Sequence, residues 1–161
     1  MSSRNATVSK KYRKKTHLQH IKERPDTYIG SCDARVEPMW VVNSQGNVEH
    51  REISYVPALL KIFDEFLVNA ADNKQRDSGM KSIKVNITEN SITIENDGQG
   101  IPVEMHAEHD VYVPQMVFGQ LLTGDNYNDS EDRVVGGRNG YGAKLTNIFS
   151  TSFCIETVDS K

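Results

Sequence analysis

Cysteine is scarce. Cys32 and Cys154 stand 122 residues apart with no metal-ligand spacing around either. This excludes a disulfide framework and a cysteine-built zinc site, and both read as reduced, structural thiols. Long apolar runs are also missing: none approaches the length of a bilayer span, and the start lacks the apolar stretch of a secretory signal. No membrane partner is expected, and the compartment reads as cytosol or nucleus. Neither sign of charge dominates. The 19 basic and 22 acidic side chains leave a net charge of -3, so overall charge does not announce a nucleic-acid binder. The one concentration is Lys10, Lys11, Arg13, Lys14 and Lys15. It begins at the end of a flexible basic arm over residues 1–11 and reads as a solubilising stretch, with nuclear import or polyanion contact as the functional alternative.

What is present is the balance of a soluble globular chain, 37% hydrophobic and 25% charged over 161 residues, enough for one domain or part of one. The most informative stretch runs from Pro57 to Asn73. Phe63, Phe66, Leu67 and Ala70 recur at helical spacing and predict an amphipathic helix, with Pro57 suited to its first turn. Glu65, Asn69 and Asn73 recur every four residues and so share another face. A carboxylate there can take a proton from water, and an amide oxygen one turn away can hold a hard cation such as Mg2+. A plain solvated face would more often carry lysine, glutamate and arginine.

Around this helix the pattern alternates between helices and hairpins. A helix is expected near Tyr12–Glu23, followed by a Pro25-Asp26 turn and a stop at Gly30. Residues His20 to Pro25 fall short of a phospho-acceptor box, because the spacing is wrong. Met39–Val42 and Glu52–Val56 predict one hairpin, and Ile83–Ile87 with Ile92–Ile94 a second. The second hairpin runs directly into Asn96-Asp97-Gly98-Gln99-Gly100, side chains at a sheet end beside a turn that permits close ligand approach. Asp77-Ser78-Gly79 should end the central helix. Pro114–Leu122 predicts a short helix, Gly124–Asp132 a loop, and Phe153–Thr157 a final strand. Between them Gly136-Gly137-Arg138-Asn139-Gly140-Tyr141-Gly142-Ala143-Lys144 opens onto another helical pattern, and free N–H groups at a helix start suit an anion. A Walker loop is excluded, since Ala143 separates Gly142 from Lys144 and Leu145 stands where a hydroxyl is needed. A dinucleotide fingerprint fails too, because residue 145 is not small.

Taken together, a helix with Glu65 and Asn69, a strand ending in the Asn96 motif, and a later glycine loop before a helix resemble the Bergerat ATP-binding fold of the GHKL superfamily. Arg24 to Ser31, Lys61 to Glu65, Val68 to Lys74 and Gly136 to Lys144 narrow the likeness to eukaryotic-type DNA topoisomerase II, from about Tyr12 onward. The resemblance implies an α+β two-layer sandwich, a mixed and mostly antiparallel sheet with helices on one face, spanning 12–161. It is expected to be C-terminally truncated, because the family continues into further strands, a transducer domain with a phosphate-reaching lysine, and a cleavage core.

The resemblance also implies roles. Glu65 would be the general base of ATP hydrolysis, and Asn69 would coordinate Mg2+. Asn73 would touch phosphate or metal-bound water, and Asn96 would read the adenine edge. Gly124, Asp125 and Asn126 would face the ribose, although the first two depart from the family's usual serines. Gly137, Arg138, Asn139, Gly140, Tyr141, Gly142, Ala143 and Lys144 would wrap the phosphates as a mobile lid. The expected cofactors are ATP and Mg2+. The expected partners are double-stranded DNA and a second copy of the chain, in the nucleus. The alternatives are a GHKL ATPase of chaperone or mismatch-repair type, or a nucleotide-binding fragment without turnover.

Overall fold

The structure, a computed structural model, describes residues 11–123 and 140–161. The arm over 1–10, Gly124–Asp132 and Gly136–Asn139 therefore lie outside the described residues.

Among the described residues, helix α1 (His17–Glu23) begins five residues later than expected. The cause is local. Thr16 forms a capping box with Gln19: the Thr16 hydroxyl accepts the Gln19 N–H at 3.2 Å, and the Gln19 side chain accepts the Thr16 N–H at 2.9 Å. A residue used in this way ends the helix and cannot sit inside it. Pro25 then leads into α2 (Asp26–Ile29), which stops at Gly30, whose φ is 84°.

Strands β1 (Arg35–Val42) and β2 (Val48–Tyr55) pair antiparallel from Arg35 with Tyr55 to Val42 with Val48. Both are longer than the alternation of apolar residues indicated. Their turn is tied by Asn43, whose side-chain oxygen accepts the Gln45 and Asn47 N–H groups at 3.0 Å each.

The central helix α3 (Pro57–Arg76) runs one turn beyond Asn73 and ends, as expected, at Asp77. Next, β3 (Ile83–Ile87) and β4 (Ile92–Asn96) form the second antiparallel pair, with Ile83 opposite Asn96. The short α4 (Val113–Gly119) stops three residues before Leu122, which has a φ of 62°. Finally, α5 (Gly142–Phe149) follows the glycine-rich segment.

The α+β expectation holds. Among the described residues the ladders are the two antiparallel hairpins. The expected strand at Phe153–Thr157 is not one. This segment is fixed by side chains: the Ile101 N–H donates to Thr157 Oγ1 at 3.0 Å and the Val103 N–H to Asp159 at 2.6 Å. These bonds serve the backbone of residues 101 and 103; the backbone of 153–157 itself joins neither described hairpin.

The core gathers Ile21, Ile29, Ala58 and Leu145, with Ile62, Leu121, Ile148 and Phe149 packed around them. It thus joins α1, α2, α3 and α5. Two further bonds fix α5: Thr146 donates to the Ile62 carbonyl at 3.0 Å and Asn147 to the Phe118 carbonyl at 3.2 Å. No described helix is long and apolar enough to cross a membrane.

Candidate functional site

One face of α3 carries Glu65, Asn69 and Asn73, all partly buried. From Glu65 to Asn73 is eight residues, so the face is roughly 12 Å long. Each end meets a different glycine motif.

At the upstream end, Glu65 lies against the start of α5. A Cβ at Gly142 would stand 2.1 Å from Glu65 Oε2 and 3.3 Å from Glu65 Cβ, so only glycine allows this approach. The other carboxylate oxygen pairs with Lys61 at 2.5 Å, one helical turn back. The Glu65 side chain keeps 22% of its exposure, enough for water to reach it. The α5 N-terminus, where the first backbone N–H groups and the positive end of the helix dipole lie, is thus beside this carboxylate. Gly140, two residues earlier, has a φ of 63°, a conformation that suits glycine.

Tyr141 flanks the start of α5. Its hydroxyl lies 3.2 Å from His17 Nε2, and its ring meets that of His17 edge-on with centroids 5.4 Å apart. Tyr28 stands beside both rings and bonds His20 through its hydroxyl at 2.9 Å. The sequence reading missed this aromatic link between α1 and the glycine loop, because its members are 124 residues apart. Ala143 is buried. Lys144 is only 5% exposed, and its ammonium donates to the Thr123 carbonyl.

At the downstream end, Asn73 meets the turn after β4. Its Nδ2 donates to Asn96 Oδ1 at 2.9 Å and to the Gln99 carbonyl at 3.3 Å. Asn96 Oδ1 also accepts the Gly98 N–H at 3.2 Å. The neighbouring Asp97 turns away from this face. Its Oδ1 accepts the Lys81 and Ser82 N–H groups at 2.8 and 2.9 Å, and these bonds hold its carboxyl below the ordinary carboxylate range. Asp97 is thus a backbone clamp.

The structure therefore brings Glu65, Asn69, Asn73, Asn96 and the Gly140–Lys144 segment around one helix. Gly124, Asp125, Asn126, Gly137, Arg138 and Asn139 lie outside the described residues. An open groove of about 590 Å3 lies elsewhere, near the start of α3, lined by residues including Tyr28, Tyr55, Lys61 and Asp64. It contains none of the residues nominated from sequence. Among the described residues no group of three or more His, Cys, Asp or Glu side chains could hold a metal ion.

Residues 55–156 match the family model of histidine kinase-, DNA gyrase B- and HSP90-like ATPases. The DNA topoisomerase 2 of Drosophila melanogaster is 59% identical over 154 residues, covering 94% of this chain and 11% of that protein. The Penicillium chrysogenum protein of the same name is 54% identical over 161 residues, covering 98% of this chain and 10% of that protein. The chain thus spans about one-tenth of the length of these relatives. The crystal structure of the ATPase region of Saccharomyces cerevisiae topoisomerase II superposes with a TM-score of 0.86 at 53% identity, over 89% of this chain and 39% of that one. The ATPase and transducer domains of the Balamuthia mandrillaris enzyme superpose with a TM-score of 0.84 at 56% identity, over 86% of this chain and 36% of that one.

Proposed function

The chain belongs to the histidine kinase-, DNA gyrase B- and HSP90-like ATPase family, and from this premise we propose that it is the ATP-binding and hydrolysing segment of a type II DNA topoisomerase. In the whole enzyme, ATP-driven dimerisation of two such segments would close a gate around one DNA duplex, which passes through a transient break in another. Residues 12–161 would form part of the ATPase unit, and 1–11 its basic arm. Double-stranded DNA, a second copy of the chain and a nuclear setting follow from the same premise.

One observation carries the reading. A single helix face has a carboxylate against a helix N-terminus at one end and a hydrogen-bonded amide pair at a strand end at the other. A nucleoside triphosphate has matching ends: anionic phosphates that need N–H donors, and a purine edge that needs an oriented amide. In this arrangement Glu65 orients and deprotonates water attacking the terminal phosphate. The first N–H groups of α5, from Gly142 onward, cradle the phosphates, with Gly137 to Tyr141 leading into them. Lys144, whose ammonium tethers Thr123, fixes the chain just before the ribose-facing Gly124, Asp125 and Asn126. Asn96 reads the adenine amino group through its oxygen. Both lone pairs of that oxygen are engaged, by Asn73 and Gly98, so the purine takes or shares the place of Asn73. Asn73 keeps its bond to the Gln99 carbonyl, and its freed N–H and side-chain oxygen can serve a phosphate or a metal-bound water.

Mg2+ fits the donor set. A single amide oxygen, Asn69, on the helix face between base and carboxylate suits an ion that takes most of its ligands from phosphates and water. When bound, it neutralises phosphate charge. The chaperone and mismatch-repair readings find no support in the relatives, which are topoisomerases at 54–59% identity.

The test is Glu65→Gln in the full-length enzyme. It should bind Mg-ATP with near-parent affinity and hydrolyse it about 10²–10⁴-fold more slowly. Turnover near the parent rate would remove Glu65 as the base. Relaxation of supercoiled DNA that depends on ATP would mark the topoisomerase class, and its absence would favour a binding fragment or another ATPase.

A further inference from the structure

The four-residue series on α3 does not stop at Asn73. Its next member is Asp77, at the end of the helix. Asp77 Oδ1 accepts the Gly79 N–H at 2.8 Å, and Oδ2 accepts the Gln99 N–H at 2.8 Å. The carbonyl of the same Gln99 accepts from Asn73. Residue 99 is therefore gripped on both sides, by Asn73 of α3 and by Asp77, the residue that caps that helix.

We propose that Asp77 is a positioning residue for base selection, holding the Asn96–Gly100 turn against α3 so that the Asn96 amide faces the purine at one fixed angle. The surroundings leave little slack. A Cβ at Gly98 would stand 2.7 Å from Asn73 Nδ2 and 3.1 Å from Met80 Sδ. The Lys74 ammonium donates to the carbonyls of Ser78 and Met80, bracing the loop that carries Gly79. Bonds to Gln99 and Gly79 hold the Asp77 carboxyl below its ordinary value, so it is an ionised acceptor at neutral pH. Asp77 lies at the opposite end of the α3 face from Glu65. Its influence passes through the turn to Asn96, and so reaches the base end of the site and not the hydrolytic end.

The inference rests on the reading of Asn96 as the base-contacting residue, and the experiment separates the two. Full-length Asp77→Ala, the isosteric Asp77→Asn, and Asn96→Ala are compared for ATP and GTP by equilibrium binding and by steady-state hydrolysis. Asp77→Asn keeps one acceptor but sets an N–H donor against a backbone donor, so it should behave like Asp77→Ala. Both should raise the KM for ATP about tenfold, the effect of one charge-assisted hydrogen bond, and erode the ATP-over-GTP preference by a similar factor. Their kcat should stay within about twofold of the parent. A fall in kcat with preference unchanged would reduce Asp77 to a folding role and overturn the inference. Unchanged preference in both Asp77 variants with lost preference in Asn96→Ala would overturn it while sparing the Asn96 reading. Unchanged preference in all three would overturn both.

Discussion

A single methyl group added at residue 142 tests the upstream end of the site more cleanly than deleting a functional group. The Cβ of Gly142→Ala would collide with Glu65 Oε2, the far end of a flexible side chain. Swinging the carboxylate away relieves that collision, and the remaining 3.3 Å approach to Glu65 Cβ needs a small shift of α5 against α3, together about 1–3 kcal/mol by the usual range for overpacking. The carboxylate would then no longer face the α5 N-terminus. Gly142→Ala should therefore stay folded by circular dichroism, while ATP hydrolysis falls at least about tenfold. Parent-level turnover would mean that the approach of Glu65 to α5 has no part in the chemistry. Glu65, Asn69 and Asn73 were legible because a helix repeats its face every four residues, and a carboxylate with two amides is an unusual face. Asp77 obeys the same spacing but escaped notice, since Asp-Ser-Gly also spells a helix stop and sequence alone does not tell a capping carboxylate from one that reaches residue 99. The burial of Lys144 was equally hidden. Its partner is a backbone carbonyl, which leaves no mark in side-chain spacing.

At the scale of elements, two ionised carboxylates hold the place where α3 meets the β3–β4 hairpin: Asp77 bonds the Gln99 N–H across the junction, and Asp97 bonds the Ser82 and Lys81 N–H groups across the open end of the hairpin. Both have folded-state pKa values below the ordinary 3.8. Above 3.8 the folded and unfolded chains are both ionised at these sites and the stabilisation is complete. As pH drops below it, the unfolded chain takes up protons first, and the stabilisation drains away until the lowered folded values are passed. Chemical denaturation between about pH 5 and pH 3 should therefore show a steeper loss in the parent than in an Asp77→Asn, Asp97→Asn double variant. Equal slopes would deny the two carboxylates this role. The elements themselves were legible in unequal measure. Long amphipathic periodicity gave α3 to within one turn. The start of α1 was misjudged because the Thr16 capping box was not read, and the strand at Phe153–Thr157 because alternation says nothing about whether a partner strand is present.

Among the described residues α3 joins the two ends of the site, packing on α5 by way of Thr146 and on the strand end by way of Asn73. Motifs separated by up to 77 residues, from Glu65 to Gly142, meet because one helix touches both. Their order along the chain was enough to indicate the family, but their meeting is a property of packing among α1, α2, α3 and α5, and no local pattern encodes it. The most direct test is a crystal structure of the complete ATPase region with Mg2+ and a non-hydrolysable ATP analogue. The purine should lie at Asn96 and Gly98, the terminal phosphate between Glu65 and the N–H groups at Gly142, and the metal at Asn69. Nucleotide bound instead in the open groove beside Tyr55 and Asp64, or spanning only one end of α3, would contradict the account.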